Sequence, residues 1–470
     1  MSYQTINPAT EEVLKTFKEA TDRELEAAIA RADWAYANEW RKTSLDERKK
    51  IVKKAASLMR SRREELAGLV TLEMGKLLRE ARAEVDLSAD ILDYYADRAE
   101  TFLAPKTLNV AEGQAWVEAA PLGVIFCVEP WNFPYYQLVR VAGPNLMVGN
   151  TVIVKHAPNV PQCALAFEKV FLDAGASPGV YTNVFLSNAQ AATAIADTRI
   201  QGVALTGSER AGSAVAAEAG KALKKSTMEL GGSDAFIVLE DADLDAAVQW
   251  AIWARMNNTG ESCVAGKRFI LHEQIADVFL NRFREELQKL VPGNPADDST
   301  TLGPLCTAGA LDHALGQIST AVQGGAKILL GGHRIGRAGY YLEPTILTHV
   351  DRKNPVFFEE IFAPVAMIFR VKNEEEAIQL ANDSPFGLGG TVMTRDVERG
   401  KRIARRIESG MVFINSATWT APELPFGGVK NSGYGRELAE VGIGEFLNRK
   451  LIRVTSPQST FLPAQRTILG

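Results

Sequence analysis

The stretch from 121 to about 230 most constrains what this chain can become, because short apolar runs alternate there with helical ones. The runs Val124–Cys127, Thr151–Val154, Val180–Leu186 and Val203–Thr206 are separated by helical stretches such as 161–174 and 210–223. Strands alternating with helices read as βαβ units, which build a parallel sheet with helices on both faces. A similar alternation runs from 235 to about 415, so the predicted fold class is α/β. With 470 residues the chain exceeds the roughly 250–300 residues that one hydrophobic core serves, and two large domains are expected.

The first hundred residues read as helical, opening on a capping box, Thr21 followed by Glu24, ahead of Leu25, Ala28, Ile29 and Ala32. A second helix carries Ile51, Val52, Ala55, Leu58 and Met59 on one stripe. Between 107 and 120 two short strands around Glu112 and Gly113 read as a hairpin. The last fifteen residues have little periodicity and read as a loosely held tail.

The net charge of −5 is spread over interspersed acidic and basic residues, which excludes the footprint of a nucleic-acid or anionic-membrane binder and leaves a small molecule as the expected partner. The start MSYQTINPAT lacks a signal peptide's basic and apolar segments, and no run approaches the ~20 apolar residues of a membrane span. A cytoplasmic location is expected. Cys127, Cys163, Cys263 and Cys306 form no CxxC pair, and the five histidines show no metal-ligand spacing, so neither a disulfide framework nor a metal site is expected. Carboxylates and a cysteine are left to carry chemistry.

Four segments place a reactive or constrained residue at a turn. In EPWNFPYYQLVR (129–140), Asn132 sits between a strand and a helix, where its amide serves either as an oxyanion donor or as a helix cap. TGSERAG (206–212) opens a helix whose backbone amides suit a phosphate, though such a turn is often only a turn. MELGGSD (228–234) sets Glu229 where desolvation would make it a general base, or where Lys224 or Lys225 would pair with it. NNTGESCVAGKR (257–268) holds Cys263 in a loop read as entering a helix, whose dipole would lower the thiol pKa. The other three cysteines read as small hydrophobes.

These segments, in this order, resemble the aldehyde dehydrogenase superfamily over the chain to about residue 455. EEIFAPV (359–365), Asn415 after its Gly-x-Val-x-Ile run, and PFGGVKNSGYGRE (425–437) are similar to later blocks of that superfamily. KHAPNV, GSERAG, LGGSDAFIVL and AGKRFI resemble its bacterial succinate-semialdehyde dehydrogenase group. The resemblance implies a Rossmann-type cofactor domain (1–103 and 121–229), an α/β catalytic domain (230–444), a small β oligomerisation arm (104–120 and 445–457) and a tail (458–470). The arm, with its hairpin and a C-terminal strand Lys450–Val454, implies a homodimer or homotetramer.

It also implies roles. The Cys263 thiolate attacks an aldehyde, Asn132 and the Cys263 N–H hold the oxyanion, and Glu229 activates water to hydrolyse the thioester. NAD or NADP would be held by Trp131, Lys155, Gly207, Ser208, Leu230, Glu360 and Phe362. Pro158 stands where many NAD-linked relatives have a ribose-binding glutamate that repels a 2′-phosphate, so use of both cofactors is expected; Arg210 lies nearby in sequence but supplies no obvious clamp. For the substrate, Arg140 lies two helical turns, roughly 12 Å, beyond Asn132. There it would pair with the carboxylate of a semialdehyde or else form a structural salt bridge. Thr420 would add a hydroxyl, while Asn257 replaces a second arginine found in some succinate-semialdehyde enzymes. Glu261 replaces a glutamine beside the nucleophile and would raise its pKa if it pointed inward; Ala363 replaces a glycine. Other small aldehydes, or transfer of the thioester to coenzyme A, are the alternatives, and Glu229 favours hydrolysis. A structural protein on the same scaffold would be expected to lack Cys263 or Glu229.

Overall fold

The computed structural model describes residues 3–456, so the expected tail at 458–470 lies outside the described residues. Two sheets organise them. The first has six strands in the order Gly433–Tyr434, Lys225–Glu229, Ile200–Thr206, Val124–Glu129, Thr151–His156, Tyr181–Asn183, parallel except at the Gly433–Tyr434 edge. The second has seven, in the order Lys327–Leu330, Thr345–Thr348, Val365–Val371, Gly266–His272, Asp234–Val238, Gly390–Met393, Phe413–Ile414, antiparallel only at Lys327–Leu330. The central strands Val124–Glu129 and Thr151–His156 are buried almost throughout. Such strands read as continuous apolar runs because helices cover both faces of the sheet.

The helix Pro134–Val148 runs through the interior. All fifteen of its residues are buried, the polar Gln137, Arg140 and Asn145 among them. It packs between the long helix Leu78–Phe102 and the first sheet. Proline at its start supplies a preset φ, and Gly149 ends it at φ 105°, a left-handed conformation that favours glycine. Tyr136, Gln137 and Arg140 ride on this helix and inherit its rigidity.

The capping box at Thr21 forms, with Glu24 N–H donating to Thr21 Oγ1 at 3.3 Å and Thr21 N–H to Glu24 Oε2 at 2.7 Å. The chain does not open helically, however. Tyr3–Asn7 and Glu12–Phe17 form an antiparallel pair, anchored where Tyr3 Oη donates to the Leu186 carbonyl at 2.9 Å. Only Tyr3 and Thr5 of the first strand are fully buried, too few alternating positions to announce a strand. The expected hairpin pairs Lys106–Leu108 with Gln114–Pro121. The C-terminal strand runs over Leu447–Val454, three residues longer than expected, and joins Gln114–Pro121 in antiparallel register.

Candidate active site

Two cavities share the Cys263 side chain. One, of about 530 Å³, is walled by Phe133, Tyr136, Trp253, Trp419, Thr420 and Phe426, with Arg79, Glu80, Glu84 and Asn257 also on its lining. The other, of about 280 Å³, is lined by Pro130, Trp131, Asn132, Thr206, Gly207, Ser208, Leu230, Gly231, Glu360 and Phe362. Cys263 and Gln137 line both. The second cavity lies just past the carboxyl ends of Val124–Glu129, Ile200–Thr206 and Lys225–Glu229, where open parallel sheets place their ligands.

Of the seven positions expected to hold a cofactor, Trp131, Gly207, Ser208, Leu230, Glu360 and Phe362 line this second cavity. Ser208 caps the helix Glu209–Lys221, accepting from the Ala211 N–H, so the helix begins at the cavity wall and offers its N-terminal dipole to an anion. Trp131 and Phe362 meet edge to face with centroids 5.9 Å apart. Gly231 gives Glu360 its room: a Cβ there would lie 2.3 Å from Glu360 Oε2. An aromatic clamp, a helix N-terminus and a carboxylate in one cleft fit a dinucleotide. Lys155 is the next-to-last residue of its strand, one short of the end expected for it, and is not on the cavity lining; it is buried, which lowers its pKa.

The nucleophile loop is held in an uncommon conformation. Asn258, Thr259 and Gly260 have φ of 55°, 52° and 78°, the left-handed region that costs a β-branched residue such as Thr259 most. Asn258 Nδ2 donates to the carbonyls of Asn132 and Glu261, both at 2.9 Å, and Arg255 donates to the Gly260 carbonyl at 2.6 Å. A Cβ on Gly260 would lie 2.6 Å from the Ala363 backbone, which is how the EEIFAPV block reaches this loop. Beyond Cys263 the chain turns into the strand Gly266–His272 and not into a helix. The expected dipole assistance to the thiol is therefore missing. Burial pushes the Cys263 thiol up to about 12, Arg140 and Lys267 pull it down, and Glu360 and Asp234 push it further up.

Asn132 is not the helix cap, since Phe133 occupies that position. Its Nδ2 donates to the Glu261 carbonyl at 3.2 Å, and Gln137 donates to its Oδ1 at 3.3 Å. The Glu261 carboxylate turns away from the thiol to accept the Cys306 N–H at 3.1 and 3.2 Å. Neither lysine pairs with Glu229: Lys224 donates to the Ile195 and Asp197 carbonyls and Lys225 pairs with Glu445. Glu229 ends its strand fully buried, with no hydrogen-bond partner for either carboxylate oxygen. Burial, and the charge of Glu437, hold its pKa well above the usual carboxylate range. It packs against Gly427 and is not on either cavity lining.

A family model for the aldehyde dehydrogenase family matches residues 1–452. The chain belongs to the aldehyde dehydrogenase family. It is 50% identical over 451 residues to the succinate-semialdehyde dehydrogenase [NADP(+)] of Deinococcus radiodurans, covering 96% of this chain and 94% of that one. A probable succinate-semialdehyde dehydrogenase [NADP(+)] of Synechocystis is 44% identical, covering 96% and 99%. Among solved structures, the succinic semialdehyde dehydrogenase of Streptococcus pyogenes in complex with NADP+ superposes with a TM-score of 0.95 at 47% identity, over 97% of this chain and 100% of that one.

In this aldehyde dehydrogenase Arg140 is not a free clamp, which corrects its expected role. Its Nε lies 2.6 Å from Glu437 Oε2, its other nitrogens donate to Tyr136 Oη at 3.3 Å and Thr206 Oγ1 at 3.2 Å, and it is not on the substrate-side lining. The salt-bridge alternative is the observed one. Thr420 does line that cavity, and Tyr136 Oη lies 2.8 Å from its Oγ1. Because Arg140 donates to Tyr136, the phenol's own proton goes to Thr420, which leaves the threonine proton free to face the cavity.

Residue types alone did not single out Tyr136, Lys267, Glu437 or Glu129. All four lie inside the segments EPWNFPYYQLVR, NNTGESCVAGKR and PFGGVKNSGYGRE, but the groups they face, such as Thr420 for Tyr136 and Arg140 for Glu437, are remote in sequence. Burial and Glu437 also raise the pKa of Glu129. Among the described residues no helix is long and apolar enough to cross a membrane.

Proposed function

We propose that this aldehyde dehydrogenase oxidises a short aldehyde, succinate semialdehyde, to its carboxylic acid with NADP or NAD as acceptor, through a thioester on Cys263. The observation that carries the reading is that Cys263 is exposed to both cavities at once, so an aldehyde from one side and a dinucleotide from the other meet at its sulfur. The Deinococcus and Streptococcus relatives are succinate-semialdehyde dehydrogenases linked to NADP, and Pro158 leaves no carboxylate at that position to repel a 2′-phosphate.

Once ionised, the Cys263 sulfur forms a bond to the aldehyde carbon, and the carbonyl electron pair moves to oxygen. Asn132 Nδ2 and the Cys263 backbone N–H stabilise that oxyanion; one N–H of the Asn132 amide is held on the Glu261 carbonyl at 3.2 Å, and its second N–H is the donor left for the oxyanion. Collapse of the oxyanion expels hydride and leaves the thioester. The nicotinamide, when bound, supplies the hydride acceptor, and Trp131, Gly207, Ser208, Leu230, Glu360 and Phe362 are the residues to hold the dinucleotide. Glu229 then swings from Gly427 toward the thioester and takes a proton from water, whose oxygen bonds to the acyl carbon as the C–S bond breaks. A raised carboxylate pKa suits this work, because a stronger base is ready to accept the proton near neutral pH. Thr420 and Tyr136 meet the substrate's polar end, with Arg79 as the cation on the same wall.

The aromatic wall of Phe133, Trp253, Trp419 and Phe426 favours a second reading, a neutral aliphatic or aromatic aldehyde. We place the enzyme in the cytoplasm, where four unpaired thiols persist, and as a homodimer or homotetramer built on the three-stranded sheet, whose Leu451 and Val454 are exposed.

Steady-state turnover of succinate semialdehyde, butyraldehyde and benzaldehyde with NADP and NAD decides among these. The first aldehyde is expected to have the highest kcat/KM, and Cys263→Ala to abolish turnover while retaining NADP binding. Turnover surviving in Cys263→Ala overturns the mechanism, and equal kcat/KM for butyraldehyde overturns the substrate.

A further inference from the structure

Lysine is almost never fully buried unless it is paired, yet Lys267 is wholly buried four residues after the nucleophile. Its Nζ lies 2.8 Å from the Ser262 carbonyl, 2.8 Å from the Cys263 carbonyl and 2.9 Å from Glu360 Oε1. Those three contacts use all three donors of the ammonium. Glu360 Oε1 is held from its other side by the Gly232 N–H at 3.0 Å. Carbonyls in a buried loop are satisfied by any neutral donor, whereas burying a charge costs several kcal/mol unless it is paired. A purely structural bond to two carbonyls does not call for an ammonium.

We propose that Lys267 is a positioning residue that aims the oxyanion-binding N–H of Cys263 and ties the nucleophile loop to Glu360 on the dinucleotide side; this rests on the thioester mechanism. The reason lies in peptide geometry. The Ser262 carbonyl and the Cys263 N–H belong to one planar trans peptide and point in opposite directions. Anchoring the oxygen on Lys267 therefore fixes the N–H toward the far side, where the aldehyde oxygen develops charge. A hydrogen bond from a cation to that oxygen also polarises the peptide and strengthens its N–H as a donor. The second contact, to the Cys263 carbonyl, immobilises the next peptide, so the sulfur is bracketed by two fixed planes. The third sets Glu360 at a defined distance from the loop, and the same positive charge favours the thiolate.

The tests are Lys267→Met and Lys267→Gln in the full-length enzyme. Methionine keeps the length and removes charge and donors; glutamine restores two neutral N–H donors. Loss of one oxyanion donor costs on the order of 100- to 1,000-fold in kcat, so Lys267→Met is expected to lose about 100-fold in kcat with little change in aldehyde KM. Lys267→Gln is expected to regain part of that loss. Independently of turnover, iodoacetamide labelling of Cys263 in cofactor-free protein at pH 8 should slow by about tenfold in Lys267→Met, equivalent to one pKa unit. The other three cysteines are buried and do not compete. A kcat within threefold of the parent in both variants overturns the proposal. So does Lys267→Gln performing no better than Lys267→Met, because carbonyl anchoring would then do nothing. If Lys267→Met fails to fold, Lys267→Gln against the parent decides by kcat and labelling. Failure of the thioester mechanism itself shows separately, as turnover persisting in Cys263→Ala.

Discussion

Arg140 and Glu437 form an ion pair of 2.6 Å with both side chains buried, joining the helix after Asn132 to the C-terminal signature. The guanidinium also lies near the rings of Tyr136 and Phe426, with centroids 4.8 and 4.5 Å away. Removing one member of a buried pair leaves an uncompensated charge and costs about 3–5 kcal/mol. Arg140→Met is therefore expected to lower the melting temperature and to reduce kcat on carboxylated and neutral aldehydes alike. The loss has a pH dependence. In the variant Glu437 is relieved by protonation at low pH, so the destabilisation is smaller at pH 6 than at pH 8. Melting curves at both values check this; an unchanged melting temperature with KM raised only for succinate semialdehyde would restore the clamp.

His156 provides a second check. Burial pushes it down to about 4. Its two ring nitrogens face carbonyls, Nδ1 that of Glu129 at 3.2 Å and Nε2 that of Pro134 at 3.1 Å. That neutral ring supports the turn carrying Asn132. The unfolded chain takes up a proton near 6.5, whereas the folded protein does not until about 4, so stability is lost as pH falls through that window. The contribution is about 3 kcal/mol. His156→Gln should flatten the dependence of the urea midpoint between pH 6.5 and 4.5 relative to the parent, and parallel profiles would contradict it.

Gly231→Ala tests the dinucleotide cleft. Its added Cβ would stand 2.3 Å from Glu360 Oε2 and force that carboxylate to move. Weaker NADP binding, by about tenfold in a fluorescence titration, is expected with little change in melting temperature; an unchanged affinity would mean that Glu360 is not part of the cofactor site. Tenfold corresponds to about 1.4 kcal/mol, the scale of one hydrogen bond to a charged group.

Much of the α/β scaffold was legible because strands buried on both faces must be continuous apolar runs, and Val124–Glu129 and Thr151–His156 are. The N-terminal pair Tyr3–Asn7 and Glu12–Phe17 was not legible, because it is short and its anchor, Leu186, is remote in sequence. Within the site, Cys263, Asn132, Glu360 and Phe362 were found as members of local blocks. Arg140 was found, with a substrate clamp and a structural salt bridge both left open, but Glu437 could not be named as its partner, since no spacing rule links residue 140 to residue 437.

The sequence by itself determined the layered α/β class, the family and many of the side chains that line the two cavities, Cys263, Asn132, Glu360 and Phe362 among them, because local periodicity and short motifs encode strands, turns and the residues at their ends. Only the tertiary structure decided what those side chains face. It turned the Glu261 carboxylate away from the thiol, led Cys263 into a strand without a helix dipole, buried Arg140 against Glu437 and set Lys267 between the nucleophile loop and Glu360. Electric field and hydrogen-bond direction depend on distances between segments far apart in the chain, and chain closure alone fixes those.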